Sequence, residues 1–237
     1  MSNYLNDSNM RFSLFRTLRK AKWQYIVGEL LLIVLGITIA LWFNNLNEEW
    51  KERDLEHQLL GELKLCLQQD LEDCVNNFDI HEEGVEDIDE MLDLLLETQI
   101  PENSGRHFRS LVAWSFLVSN VSTYESMKSI GFQIISNDSI RAGVSTLYNV
   151  DYKHVYEIEG KHNELIQKYE DLISTFFMYN KESKNRLNIQ HVQAKKMEII
   201  SMLLRMRRTH ISLRNQYERD VIPHLKQLIK MIDEEIG

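Results

Sequence analysis

The sequence predicts an all-α protein, in which one N-terminal transmembrane helix continues into an extramembrane antiparallel helical bundle. Three observations carry this. Only nine glycines and two prolines occur in 237 residues, too few for the turns that many short strands require. Residues of high helix propensity dominate, and apolar positions recur at steps of three and four. Near the N-terminus, fourteen nearly uninterrupted apolar residues, Leu30 to Phe43, follow Glu29. At 43% hydrophobic residues, the chain is long enough for one substantial core or two small ones.

Fourteen residues alone would suit a core helix or a signal peptide. Counted from Tyr25, the run reaches nineteen residues, about 28 Å of helix against roughly 30 Å of hydrocarbon. Trp23 and Tyr25 precede it and Trp42 and Phe43 close it, as in an interfacial belt. A core helix would carry a polar stripe, yet only Thr38 is polar between Leu30 and Phe43. The run ends in Leu-Trp-Phe-Asn-Asn without a small-residue cleavage pattern, which favours an uncleaved signal anchor. Arg11, Arg16, Arg19, Lys20 and Lys22 lie before the run and a mostly acidic segment follows it. The expected organisation is a basic cytoplasmic tail over 1–24, a transmembrane helix over 25–43 and a helical bundle over 44–237 outside the inner membrane. Such a tail is too short for a conventional output domain, so signalling would need a partner.

Beyond the anchor, Leu60, Leu63, Leu67, Leu71, Cys74 and Phe78 form one apolar stripe, and Val85, Ile88, Leu92 and Leu95 another. A break near Gly84 would separate two helices. Residues 98–105 contain Pro101, Asn103, Ser104 and Gly105 and read as a loop, followed by a short helix over about 106–117. Ser122 and Glu125 have capping-box spacing, so a helix starts there and stops at Gly131. Phe132 to Ser136 alternates as an extended stretch would, and Asn137-Asp138-Ser139 reopens a helix. Two long helices follow, over about 152–180 and 187–236, the second bent at Pro223.

Composition excludes some functions. A net charge of −9 argues against nucleic acid, whose backbone needs a basic surface. Residues 65–105 hold thirteen carboxylates and no Lys or Arg, whereas 181–214 hold nine basic residues against Glu182 and Glu198. These segments are expected to face each other; the rival reading sends Arg205, Arg207, Arg208 and Arg214 to anionic lipid or an acidic partner. Asp87, Asp89 and Asp93 lack the glycine and spacing of a calcium loop. Asp54–His57, Asp151–His154 and Glu159–His162 each place a carboxylate three residues before a histidine, but a di-metal bundle needs two Glu-x-x-His pairs plus further glutamates. They read as solvated helix faces, and no cofactor is expected. HExxH, phosphate-loop and nucleophile-elbow motifs are absent from the sequence. Cys66 and Cys74 are eight residues apart on one helix, about 12 Å of rise, too far for a mutual disulfide. They are expected as buried thiols, the alternative being a pair across a dimer.

Glu29 sits near the N-terminal interface, reaching headgroups or pairing with a basic group or membrane partner. Gly36 and Ala40 form a small-xxx-small pair that would bring two membrane helices together. Membrane lipid, a homodimer and an envelope protein partner are therefore the expected associations.

The stretches FRTLRK from Phe15, GELLLIVLGITIA running into NNLNEEWKER, and TYESMKSIGFQIISNDSIR from Thr123 resemble an uncharacterised bacterial family of single-pass membrane proteins, known only as a domain of unknown function. The resemblance covers about residues 12–150. It rests on Gly28, Glu29, Gly36, Ala40, Asn44, Asn45, Asn47 and Glu48, then Tyr124, Glu125, Ser126, Lys128, Asn137 and Asp138. Leu46 stands where the pattern has tryptophan, which removes a specific aromatic role there. The resemblance implies no substrate, cofactor or partner. The expected function is a noncatalytic scaffold, sensor-like or protein-interaction module of the cell envelope. The alternative is an envelope enzyme with a site around Tyr124, Glu125, Lys128, Asn137 and Asp138, residues that equally suit helix caps.

Overall fold

The computed structural model describes residues 7–97, 115–175, 177–178 and 186–237. It is all-α: helices α1 (Asp7–Leu96), α2 (Ser122–Ile130), α3 (Asp138–Thr146), α4 (Tyr152–Ser174), α5 (Ile189–Ala194), α6 (Lys196–Gln216) and α7 (Ile222–Ile236). A two-residue antiparallel ladder, Phe177–Met178 with Arg186–Leu187, is the only sheet among the described residues. The chain divides into two compact units, Met1–Leu55 and Glu56–Gly237.

In the first unit, the described apolar side chains from Tyr25 to Phe43 are all exposed. An 18-residue window with mean hydropathy 2.5 has none of its residues buried. By length and composition this stretch can cross a membrane. Thr38 satisfies its hydroxyl within the helix by donating to the Val34 carbonyl at 2.8 Å.

The second unit holds two apolar cores. The first joins Leu60, Leu63, Leu67 and Cys74 of α1 to Tyr152 and Val155 of α4, with Leu213, Tyr217, Leu225 and Leu228 from the C-terminal helices. The second joins Ile88, Met91 and Leu95 of α1 to Ile166 and Ile173 of α4, and to Ile199, Met202, Leu203 and Met206 of α6. The three-and-four spacing of these residues delivers them to one face of each helix.

Several expectations need correction. Helix α1 does not break at Gly84, because the missing Cβ serves a close approach: a Cβ there would lie 2.5 Å from His210 Cε1. Residues 115–121 are not helical, so the short helix placed over 106–117 does not reach Leu117, and its remainder and the 98–105 loop lie outside the described residues. Helix α2 starts at Ser122 and ends before Gly131, whose φ of 114° suits glycine, but no capping box forms. Asn120 Oδ1 accepts from Ser122 N instead, and Glu125 turns to Lys128 at 3.3 Å. Phe132–Ile134 is a 3-10 turn, and extended backbone follows it at Ile135. The first long helix is continuous helical backbone from Asp138, through a π-turn at Leu147–Asp151, to Ser174. The second breaks at Lys195, and its disturbance near Pro223 is a π-turn at Tyr217–Val221. Proline cannot donate to the helix ladder, and a wide turn immediately before it absorbs the mismatch.

Candidate functional site

Between the two cores lies a layer of buried polar side chains, each supplied by a position where an apolar stripe is interrupted. On α1, His81 falls between Cys74 and Ile88; on α4, Glu159 and His162 fall between Val155 and Ile166; on α6, His210 falls between Met206 and Leu213. All four are at most 4% exposed. Glu159 and His162 therefore do not lie on a solvated helix face. Asp151 takes His224 instead of His154, with Oδ2 2.6 Å from Nδ1, while His154 is exposed.

The three imidazoles form a compact group. Ring centroids lie 4.5 Å apart for His162–His210, 5.1 Å for His81–His210 and 6.0 Å for His81–His162. His81 Nδ1 is 3.0 Å from His210 Nδ1, and its Nε2 is 2.7 Å from Ser115 Oγ. The Thr209 hydroxyl donates to the Met206 carbonyl at 2.8 Å. It must then accept from His162 Nδ1–H, 2.8 Å away, which fixes the tautomer and leaves Nε2 as a bare lone pair. That Nε2 is buried and has no hydrogen-bond partner. Burial lowers the pKa of each imidazole, to about 3 for His81, about 4 for His162 and about 2 for His210, with the neighbouring histidines adding to the effect at His81 and His210. The group is thus neutral at pH 7. Among the described residues, no three His, Cys, Asp or Glu side chains are arranged to hold a metal ion.

Two carboxylates are also buried in this unit, Glu159 one turn before His162 on α4 and Asp70 three turns before His81 on α1. Glu159 Oε1 accepts from Leu117 N at 2.9 Å and from Tyr217 OH at 3.0 Å. Burial raises its pKa to about 7, outweighing the hydrogen bonds that favour the ionised form. Asp70 accepts from Asn120 N at 2.8 Å and from Tyr152 OH at 2.7 Å, and burial likewise raises its pKa. Together these bonds tie the 115–121 segment to α1 and α4. Burial pushes the Cys74 thiol well above its ordinary range. Cys66 and Cys74 are both buried free thiols, as expected, with Cys66 Sγ 3.4 Å from Thr123 Oγ1.

Of the residues singled out around Tyr124, Lys128 meets both Glu125 and the Tyr124 ring, its Nζ 5.8 Å from the ring centroid, while Asn137 and Asp138 are engaged by other partners. Tyr124 is buried and stacks on Tyr148 at 4.3 Å, its hydroxyl accepting from Asn149 Nδ2 at 2.8 Å. Glu125 and Lys128 form an exposed ion pair. Asn137 caps α3 by accepting from Ser139 N and Ile140 N, and donates to Glu235 at 2.6 Å; Asp138 pairs with Arg141. Glu29, Gly36 and Ala40 are exposed, with nothing within 4 Å of the place where a Cβ on Gly36 would stand. The acidic and basic segments do meet where Arg207 grips Asp89 through Nε at 2.5 Å and a terminal nitrogen at 2.9 Å.

A concavity of about 370 Å³ lies between α3 and α7, lined by Asn137, Ser139, Gly143, His224, Gln227, Leu228 and Met231. The two π-turns flank it in sequence: one ends at Asp151 and the other shortly precedes His224. Wide turns shift the register of later side chains, and here they accompany the Asp151–His224 pair.

Sequence reasoning missed His81, His210, Ser115 and Thr209. The available signal was a histidine occupying a stripe position on α1 and on α6. No curated protein and no solved structure matches this chain. One family model does, over residues 29–193, so the matched region begins past the basic FRTLRK stretch and reaches through α4 into α5. The chain belongs to DUF6090, a family of unknown function.

Proposed function

We propose that this protein is a noncatalytic, single-pass module of the cell envelope. Its apolar segment anchors it in the inner membrane with the N-terminus cytoplasmic, and the helical bundle outside works through protein contacts, as a scaffold or sensor. The observation that carries this reading is the wholly exposed apolar surface from Tyr25 to Phe43. Leaving so many large apolar side chains in water would be costly, at about 25 cal/mol per Å², whereas hydrocarbon suits them. The basic residues before the segment support the orientation. The buried polar layer supports a sensing role, because it sets three titratable imidazoles and a carboxylate between the two apolar cores.

The test is thiol labelling of Cys66 and Cys74 in intact cells with a membrane-impermeant reagent, using denatured and reduced controls because both thiols are buried. Modification from outside is the expected result. A need for permeabilisation even after denaturation would refute the topology. Purification in detergent with neither self-association nor a retained envelope protein would count against the interaction role.

A second reading draws on the recess beside Asn137. Asp151 orients His224 there, in the manner of a base and its positioning carboxylate, which keeps an envelope enzyme as the alternative. Catalytic turnover abolished by His224→Asn with the fold intact would favour it.

A further inference from the structure

The polar layer occurs at the same level on three helices. Helix α1 passes from the first core to the second through His81 and Gly84, α4 through Glu159 and His162, and α6 runs from the second core to the first through Thr209 and His210. Ser115 closes the layer from the 115–121 segment, and Tyr217 stacks beside His81 at 6.1 Å. Polar layers couple adjacent apolar layers less strongly than continuous apolar packing does, and they weaken further when a member is left unsatisfied.

We propose that this histidine layer is an acid-operated break between the two cores. In mild acid it takes up protons and the second core opens, while the first stays packed.

Geometry makes the closed layer a poor host for a proton. A proton added to His162 Nε2 would be a buried donor with no acceptor. One added at the His81–His210 contact would set two N–H groups against each other across 3.0 Å. The rings are too close for two imidazolium charges to coexist without water. The surrounding charged groups offer little compensation. From α4, Glu159 is already engaged by Leu117 N and Tyr217 OH, not by a histidine. From α1, Asp73 accepts from Asn77 and Val118, and Asp70 from Asn120 and Tyr152. From α6, Arg214 adds a positive charge one turn from His210, and Arg207 is committed to Asp89. Burial already holds the three imidazoles below their ordinary range, consistent with a layer that must open to protonate. Among the described residues the second core holds ten buried residues against twenty-one in the first, and it lies beside the break at Lys195.

The test is hydrogen–deuterium exchange of the full chain in detergent micelles at pH 7.5 and 5.5, with rates corrected for the intrinsic pH dependence of exchange. Amides of 85–96, 163–174 and 196–206 are expected to gain at least about tenfold in relative rate at pH 5.5, because each histidine contributes up to about tenfold over that interval. Amides of 59–74, 140–155 and 213–232 are expected to hold their rates. His162→Asn, whose side-chain nitrogen can still donate to Thr209, is expected to reduce the gain several-fold. Glu159→Gln is expected to enlarge it, by removing a group that takes up a proton in the closed layer. Equal acceleration of both sets, or no acceleration, overturns the proposal. So does a folded His162→Asn protein with an undiminished response; if that variant does not fold, an unchanged gain in Glu159→Gln overturns it instead. The inference holds whether or not the chain is anchored in a membrane, so the two readings fail separately.

Discussion

Helix α1 contains two glycines in the second unit whose substitution by alanine is expected to act in opposite directions. Gly61 has nothing within 4 Å of the position a Cβ would take. Alanine there gains helix propensity without a clash, worth about 1 kcal/mol. Gly84 would gain the same, but its Cβ would lie 2.5 Å from His210 Cε1 and 2.6 Å from Nδ1. Those atoms belong to a ring that cannot retreat freely, with His162 at 4.5 Å and His81 at 5.1 Å. Moving it costs about 1–3 kcal/mol of overpacking. It also disturbs the 3.0 Å His81–His210 hydrogen bond, worth about 1 kcal/mol net. Gly84→Ala is therefore expected to lose about 1–3 kcal/mol overall, and to differ from Gly61→Ala by about 2–4 kcal/mol. Thermal unfolding of the full chain in detergent, followed by far-ultraviolet circular dichroism, would show Gly61→Ala melting a few degrees above the parent and Gly84→Ala several degrees below. If Gly84→Ala matched or exceeded Gly61→Ala in stability, the close approach of α6 to α1 would be refuted, and the histidine layer with it.

Acid should destabilise the bundle in a defined window. A histidine with a depressed folded pKa contributes full stability above its unfolded value near 6.5 and loses it as pH falls toward the folded value. Between pH 7.5 and 5.5 the three withdraw about 4 kcal/mol. Glu159, raised to about 7, works in the opposite sense: its contribution is complete below its ordinary value near 4.5 and lost as pH rises through 7. It returns about 2 kcal/mol over the interval. Denaturant titrations at the two pH values are expected to give unfolding free energies that differ by about 2 kcal/mol for the parent and about 4 for Glu159→Gln; the same difference in both proteins would contradict the assignment. Tyr217→Phe removes the hydroxyl that donates to Glu159 and is expected to cost about 1–2 kcal/mol at pH 7.5, with a smaller loss in the Glu159→Gln background if the two residues are coupled as drawn. Arg207→Ala breaks a partly exposed ion pair with Asp89 and is expected to cost less than about 1 kcal/mol, a loss that shrinks further in 0.5 M salt.

Helix content and core-facing stripes were legible because they rest on local periodicity. Leu60, Leu63 and Leu67 keep the spacing that their burial requires. Asn137 was recognised as a cap because its chemistry is local as well. The errors lie where a distant residue decides. Gly84 suggested a helix break when read by propensity; its role is set by His210, 126 positions away in the chain. Ser122 and Glu125 match a capping box, yet Asn120 takes the backbone donor and Lys128 the carboxylate. Glu159 and His162 fit a solvated face until Tyr217, Leu117 and Thr209 arrive from other elements. The π-turns were invisible for a related reason, since a widened turn changes no residue type and is stabilised by what packs against it.

The stripe on α1 carries a more general consequence. Read without regard to residue type, Cys74, His81, Val85 and Ile88 continue one helical face, and the apparent gap in the apolar pattern is filled by a buried histidine. The same holds on α6, where His210 stands between Met206 and Leu213. A leucine at either place would make the two cores one, and such replacements of buried polar groups by well-packed apolar ones are often neutral or stabilising. The division is therefore not something that stability alone demands of this bundle. Three imidazoles meeting from three helices, one with an unpartnered nitrogen, take the place that apolar packing could fill, and the proposed acid response is located there.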